Sequence, residues 1–248
     1  MRVAVITFPG SNCDEDCVWA LSKVCGFEVD RFWHKDIPDF SSYQLVVLPG
    51  GFSYGDYLRC GAIASLSPIT EAIRQFSDKG GMILGICNGF QILCEMRLLP
   101  GALIRNQNLS FICRDVELCI ENADSPWTCQ FQSGGVISLP IAHSDGRYEI
   151  SDTDYSALKE NGQILLTYVA NPNGSRFNIA GICNSTKNIF GLMPHPERAT
   201  DLRSKDGMLI WKSITSVPTS VPTYFRQSAE SKWVPKWVPK PPKPVKPA

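Results

Sequence analysis

Apolar residues run almost unbroken through Arg2-Val3-Ala4-Val5-Ile6-Thr7-Phe8, the pattern of a strand buried on both faces of a parallel sheet. Pro9-Gly10-Ser11-Asn12 ends it. Asp14, Glu15 and Asp16 then suit a helix N-terminus, and the pattern predicts a helix to about Cys25 with Gly26 as its stop. Strand-like Phe27–Trp33 and Leu45–Leu48 follow, then a helical stretch around Ile69–Lys79, a strand at Met82–Ile86, a turn at Cys87 and a helix over Asn88–Glu95. This alternation predicts an α/β fold, a mostly parallel sheet with helices on both faces whose ligands sit beyond the carboxyl ends of the strands.

After Pro100-Gly101 the texture shifts to shorter strand-like pieces: Phe111–Ile120, Val136–Ala142, Ile164–Val169, Ile179–Cys183 and Ile189–Met193. They read as added strands continuing the same sheet. From about Ser216 the chain becomes repetitive, with two Ser-Val-Pro-Thr units and two Trp-Val-Pro-Lys units before a Pro/Lys-rich end. Proline at this density is incompatible with helix or central strand. Residues 1–224 are therefore expected to form one domain and residues 225–248 a disordered tail.

Charge sharpens this division. The 24 basic and 24 acidic residues cancel, but five lysines and no acids lie in 231–248, so the body carries −5 and the tail +5. A net-acidic body argues against nucleic acid as a partner. No apolar run reaches the roughly 20 residues of a membrane span, and the first strand begins without a cleavable leader, so a soluble, cytosolic protein is expected. The ten cysteines, spread from Cys13 to Cys183, fit a reduced compartment better than a disulfide scaffold.

Three segments could carry chemistry. Gly85-Ile86-Cys87-Asn88-Gly89-Phe90-Gln91 has the spacing of a nucleophile elbow with cysteine as nucleophile, its glycines permitting a sharp strand-to-helix turn. In Met193-Pro194-His195-Pro196-Glu197-Arg198 the prolines are expected to keep the backbone extended, so that Glu197 reaches one imidazole nitrogen and aims the other at a thiol. Pro49-Gly50-Gly51-Phe52 ends a strand where backbone N–H groups could stabilise an oxyanion together with that of Asn88. Cys13 and Cys17 read as packing residues, and His34 and His143 show no local acid–base pattern. No Gly-x-x-x-x-Gly-Lys-Ser/Thr occurs, so an ATP-driven step is expected on another chain. A redox-sensing protein and a cysteine peptidase or esterase remain alternatives on these motifs alone.

Taken together, the elbow, His195-Pro196-Glu197 and the Pro-Gly-Gly turn resemble the class I glutamine amidotransferases, a flavodoxin-like family. The match extends through Phe8–Cys13, Pro49–Ala64, Gly85–Leu93, Pro140–Tyr148, Asn171–Ser175 and Gly191–Arg198. The resemblance implies that Cys87 attacks the side-chain amide of glutamine, His195 moves protons and Glu197 orients His195. It places Gly50, Gly51, Phe52 and Asn88 around the oxyanion and Gln91 against the substrate. It implies no metal or cofactor in this chain, with ammonia passed to a separate, large synthetase subunit carrying ATP and Mg, and leaves a small third subunit open. Membrane and nucleic acid have no part in it. Because every matched block lies upstream, truncation after Tyr224 is expected to leave the kinetics of such a complex within about twofold. A tenfold loss with the fold retained would give the tail a role.

Overall fold

The computed structural model describes residues 1–200 and 205–216; the tail from 225, with most of the Ser-Val-Pro-Thr repeat, lies outside them. Strand β1 (Arg2–Thr7) is the buried run of the N-terminus. Helix α1 (Asp14–Trp19) starts on its three acids and continues as a wider turn over Ala20–Val24, where Cys25 N–H bonds the Ala20 carbonyl five residues back. Gly26, at φ +72°, ends it. Next come β2 (Glu28–Trp33), β3 (Leu45–Leu48) and α2 (Ile69–Asp78), which buries Ile69, Ile73 and Phe76 on one stripe. Strand β4 (Met82–Ile86) and helix α3 (Asn88–Glu95) fall where the pattern puts them.

The second half contributes β5 (Ala102–Ile104), β6 (Ile112–Ile120), β7 (Val136–His143), β8 (Arg147–Glu149), α4 (Asp152–Glu160), β9 (Ile164–Tyr168), β10 (Ile179–Cys183), β11 (Ile189–Leu192) and α5 (Asp206–Ser216). Nine strands form one sheet in the order β2-β1-β3-β4-β11-β10-β9-β6-β7. The β2-to-β11 side is parallel, and the added strands from β10 to β7 pair antiparallel. Short β5 and β8 make a separate antiparallel pair. Neither β5, β8, α4 nor α5 is apparent from apolar periodicity. The three-residue strands are too short to show it, and α4 buries only Leu158, its signal being the Ser151 cap that accepts the Asp154 N–H.

Two features of this arrangement place the site. The strand order reverses at β1, so the loops after β1 and β3 meet at its carboxyl end, where ligands of open α/β sheets bind. There Ser11 and Gly51 form an antiparallel bridge, Cys13 N–H bonds Gly50 O and Phe52 N–H bonds Gly10 O. Strand β11, although late in sequence, lies beside β4 with Leu192 opposite Ile86. That register brings the His195 segment next to the Cys87 turn.

Helix α3 packs so closely that a Cβ on Gly89 would sit 1.9 Å from Leu48 O, whereas one on Gly80 would meet nothing within 4 Å. Gly89→Ala is expected to cost at least about 2 kcal/mol through overpacking. Gly80→Ala should cost about 1–2 kcal/mol, from its left-handed backbone alone. Denaturant melts of the two variants check the order.

Candidate functional site

Cys87 occupies the turn between β4 and α3 at φ 50°, ψ −103°, a conformation L side chains rarely adopt. Its N–H is held by Leu192 O at 2.8 Å and its carbonyl by Gln91 N–H at 3.1 Å. Gly85 and Gly89 make the turn possible, since a Cβ on Gly85 would fall 2.7 Å from the Gly89 backbone. The sulfur is buried, 3.9 Å from Ala142 O on β7.

His195 follows β11, its N–H bonded to Pro140 O at 2.8 Å. The backbone does not stay extended as the prolines suggest. Pro196 opens a 3-10 turn over Pro196–Arg198, because its fixed φ also suits the first position of a helical turn. The side chains meet all the same: His195 Nδ1 lies 2.6 Å from Glu197 Oε1, with both residues buried. With Nδ1–H donating to the carboxylate, Nε2 is the nitrogen left to exchange protons, and it makes no hydrogen bond among the described residues. Burial by itself lowers the proton affinity of this imidazole. The Glu197 charge, joined by the nearby Cys87 and Cys13 thiols, outweighs burial and raises it well above the usual range.

Gly50 explains how these groups come together. A Cβ there would stand 2.7 Å from His195 Cε1, 3.1 Å from Cys13 Sγ and 3.4 Å from Cys87 Cβ. The missing side chain leaves the space that the imidazole and both cysteines line. Gly51 lies at φ +143° against the Ser11–Asn12 backbone. Among the described residues the N–H groups of Gly51 and Asn88 donate to no acceptor, while that of Phe52 is engaged with Gly10 O at 3.0 Å. The Gln91 side chain is engaged at both ends: its Oε1 accepts from Asn88 Nδ2 at 2.8 Å and its Nε2 donates to Asp145 O at 2.6 Å. Asn88 Oδ1 in turn accepts from Ser53 N–H at 3.3 Å.

Cys13, read from sequence as packing, is part of this site. Its sulfur accepts from Arg198 Nη2 at 3.2 Å, and Arg198 is held by Asp16 at 3.0 Å. The signal was its place just past the carboxyl end of β1. Donor atoms of Cys13, His195 and Glu197 lie within 4.8 Å of one another, and the 2.6 Å contact between His195 and Glu197 is a hydrogen bond. His143 is also close by, with Nδ1 on Asn106 Oδ1 at 3.1 Å. Burial, with His195 adding to it, lowers its pKa to about 4, so it is neutral. Beside the elbow a cavity of about 500 Å³ is lined by Asp56, Arg59, Cys60, Arg105 and Asp145 among others.

Known proteins resemble most of the chain. A model of the CobB/CobQ-like glutamine amidotransferase domain matches residues 1–215. The phosphoribosylformylglycinamidine synthase subunit PurQ of Alkaliphilus metalliredigens is 50% identical over 216 residues, covering 86% of this chain and 95% of the relative. That of Synechococcus elongatus is 52% identical over 201 residues, covering 81% and 90%. Among solved structures, a chain of PurLQS from Thermotoga maritima superposes with a TM-score of 0.80 at 45% identity, covering 87% of this chain and 97% of its own. With a family model spanning most of its length and relatives half identical to it, the chain belongs to the CobB/CobQ-like glutamine amidotransferase domain family.

Proposed function

We propose that the chain is the glutaminase subunit of phosphoribosylformylglycinamidine synthase. It would hydrolyse glutamine to glutamate and ammonia and supply the ammonia to a large synthetase subunit, which uses ATP and Mg to make formylglycinamidine ribonucleotide in purine biosynthesis. The observation that carries the reading is the buried His195–Glu197 pair at 2.6 Å, its second nitrogen unbonded, beside a cysteine on a strained elbow. The relatives' names support the pathway, and the likeness to PurLQS from Thermotoga maritima supports a small third subunit. No helix among the described residues is long and apolar enough to cross a membrane, and a cytoplasmic location is part of the proposal. The amidotransferase domain would span residues 1–224.

The roles follow from the geometry. Cys87, having given its proton to His195 Nε2, attacks the side-chain amide carbon of glutamine. The carbonyl oxygen gains negative charge where the Gly51 and Asn88 N–H groups are free to donate. His195 then protonates the departing nitrogen, ammonia leaves, and a γ-glutamyl thioester remains on Cys87. Water, deprotonated by His195, cleaves it to glutamate. Gly50 provides room for the imidazole. Gln91 joins Asn88 to the Asp145 turn, while the neighbouring cavity offers carboxylates and guanidinium groups to the amino-acid end of the substrate. Phe52 donates as a further oxyanion group once its bond to Gly10 O is released. Exposed Tyr57, Leu58, Leu109 and Phe111, the last 6.3 Å from the Phe52 ring, support docking of the synthetase at this mouth.

Two outcomes test this. In the assembled complex Cys87→Ala should abolish glutamine-dependent amidine formation and leave ammonium-dependent formation intact. Glu197→Gln should lower the glutamine reaction by a hundredfold or so, less than loss of the nucleophile. Retained glutamine activity in Cys87→Ala would remove Cys87 as the nucleophile. Secondly, because Phe52 N–H is engaged in the isolated chain, glutaminase turnover should rise at least about tenfold on adding the synthetase, as expected if docking frees one oxyanion donor. Equal turnover of free and bound chain would exclude that rearrangement.

A further inference from the structure

The segment after the Gly50-Gly51 turn concentrates backbone strain. Tyr54, Asp56 and Leu58 have φ of 54°, 56° and 71°, and none is glycine. Such conformations persist only where the surroundings over-determine them. Part of the restraint is local: Tyr54 N–H bonds Pro9 O at 2.6 Å and Gly55 N–H bonds Phe52 O at 2.8 Å. The rest comes through the Tyr54 side chain. Its hydroxyl lies 2.9 Å from His34 Nδ1 and 3.3 Å from Ser67 Oγ, and Ser67 Oγ lies 3.2 Å from the same nitrogen.

This triangle is built into the fold. His34 immediately follows β2 and is 4% exposed. Its N–H is fixed to Thr7 O at 3.0 Å and its carbonyl accepts from Ile69 N–H at 3.2 Å. Phe8, Trp33 and Tyr54 surround the ring, with centroids 6.2, 4.7 and 5.6 Å away. Burial, with Lys35 assisting and Asp36 opposing, lowers the proton affinity of the imidazole. The tautomer with its proton on Nε2 leaves Nδ1 as the acceptor within reach of both hydroxyls. Tyr54 O–H then donates to Nδ1 and Ser67 O–H to Tyr54 Oη, which closes the triangle without a leftover donor. An apolar contact would hold the loop with less desolvation. The hydrogen bonds instead specify one direction for Tyr54.

We propose that His34 is a positioning residue for the oxyanion turn: by accepting the Tyr54 hydroxyl it holds the strained loop, and through it Gly51, in register with the elbow. The inference rests on the oxyanion role given to that turn above. His34 acts through Tyr54.

The test uses the assembled synthase carrying His34→Leu, His34→Asn or Tyr54→Phe, with Cys87→Ala alongside. Asn offers its Oδ1 where Nδ1 stood, and Tyr54→Phe removes a single oxygen. Glutamine-dependent kcat should fall at least about tenfold in His34→Leu and Tyr54→Phe, approaching the 10²–10³ loss from deleting an oxyanion donor. KM for glutamine should stay within about threefold, ammonium-dependent synthesis should be unchanged, and His34→Asn should recover to within about threefold of the parent. Unaltered kcat in Tyr54→Phe, no recovery with Asn, or an equal fall in ammonium-dependent synthesis would each overturn the inference. A parent complex that makes no amidine from glutamine, while making it from ammonium, would instead defeat the glutaminase reading itself.

Discussion

The backbone at Cys87 is the constraint on which the site depends. A non-glycine residue at φ 50°, ψ −103° costs on the order of 1–3 kcal/mol, and the surrounding structure must meet that cost. Buried strands β4 and β11 grip one side through Leu192 O, and helix α3 is drawn onto the sheet where only glycine fits at position 89. The sulfur is thereby raised at the strand ends, beside the start of a helix whose first N–H groups have no carbonyl one turn back.

Positions 13, 50, 87 and 195 are far apart in sequence and adjacent in space because each follows the carboxyl end of a parallel strand: β1, β3, β4 and β11 respectively. Polar groups at such a junction need partners, and the structure supplies them in sequence. Ser53 N–H leads to Asn88, Asn88 to Gln91, and Gln91 to the Asp145 carbonyl. On the other side Asp16 holds Arg198, which meets Cys13. Helix α5 braces the His195 turn from behind, so closely that a Cβ on Gly207 would lie 2.1 Å from Pro196 O.

The parallel half was legible because buried strands have continuous apolar runs and their helices a 3.6-residue stripe; β1, β3, β4 and α3 match to within a residue. Cys87, His195 and Glu197, which the fold brings together, were legible as local motifs. Cys13 was not, since its contact with the His195 site depends on the order of strands, which no periodicity encodes. His34 was hidden for the same reason: its partner Tyr54 reaches it through a non-glycine left-handed turn. The Pro196 turn went the other way because proline suits both an extended neighbour and a helical start, and Glu197 reaches the imidazole from either.

Insertion of β11 between β4 and β10 also orders events in time. During synthesis β4 emerges with the Cys87 elbow long before residues 189–192 can pair with it, and such non-local pairing forms late. Until then the inner edge of the sheet is unpaired, the thiol has no imidazole, and Leu192 O is not there to hold the elbow. A ribosome-bound chain can therefore carry the Cys87 turn without its imidazole neighbour, and the site is assembled only once residues 189–197 have been made.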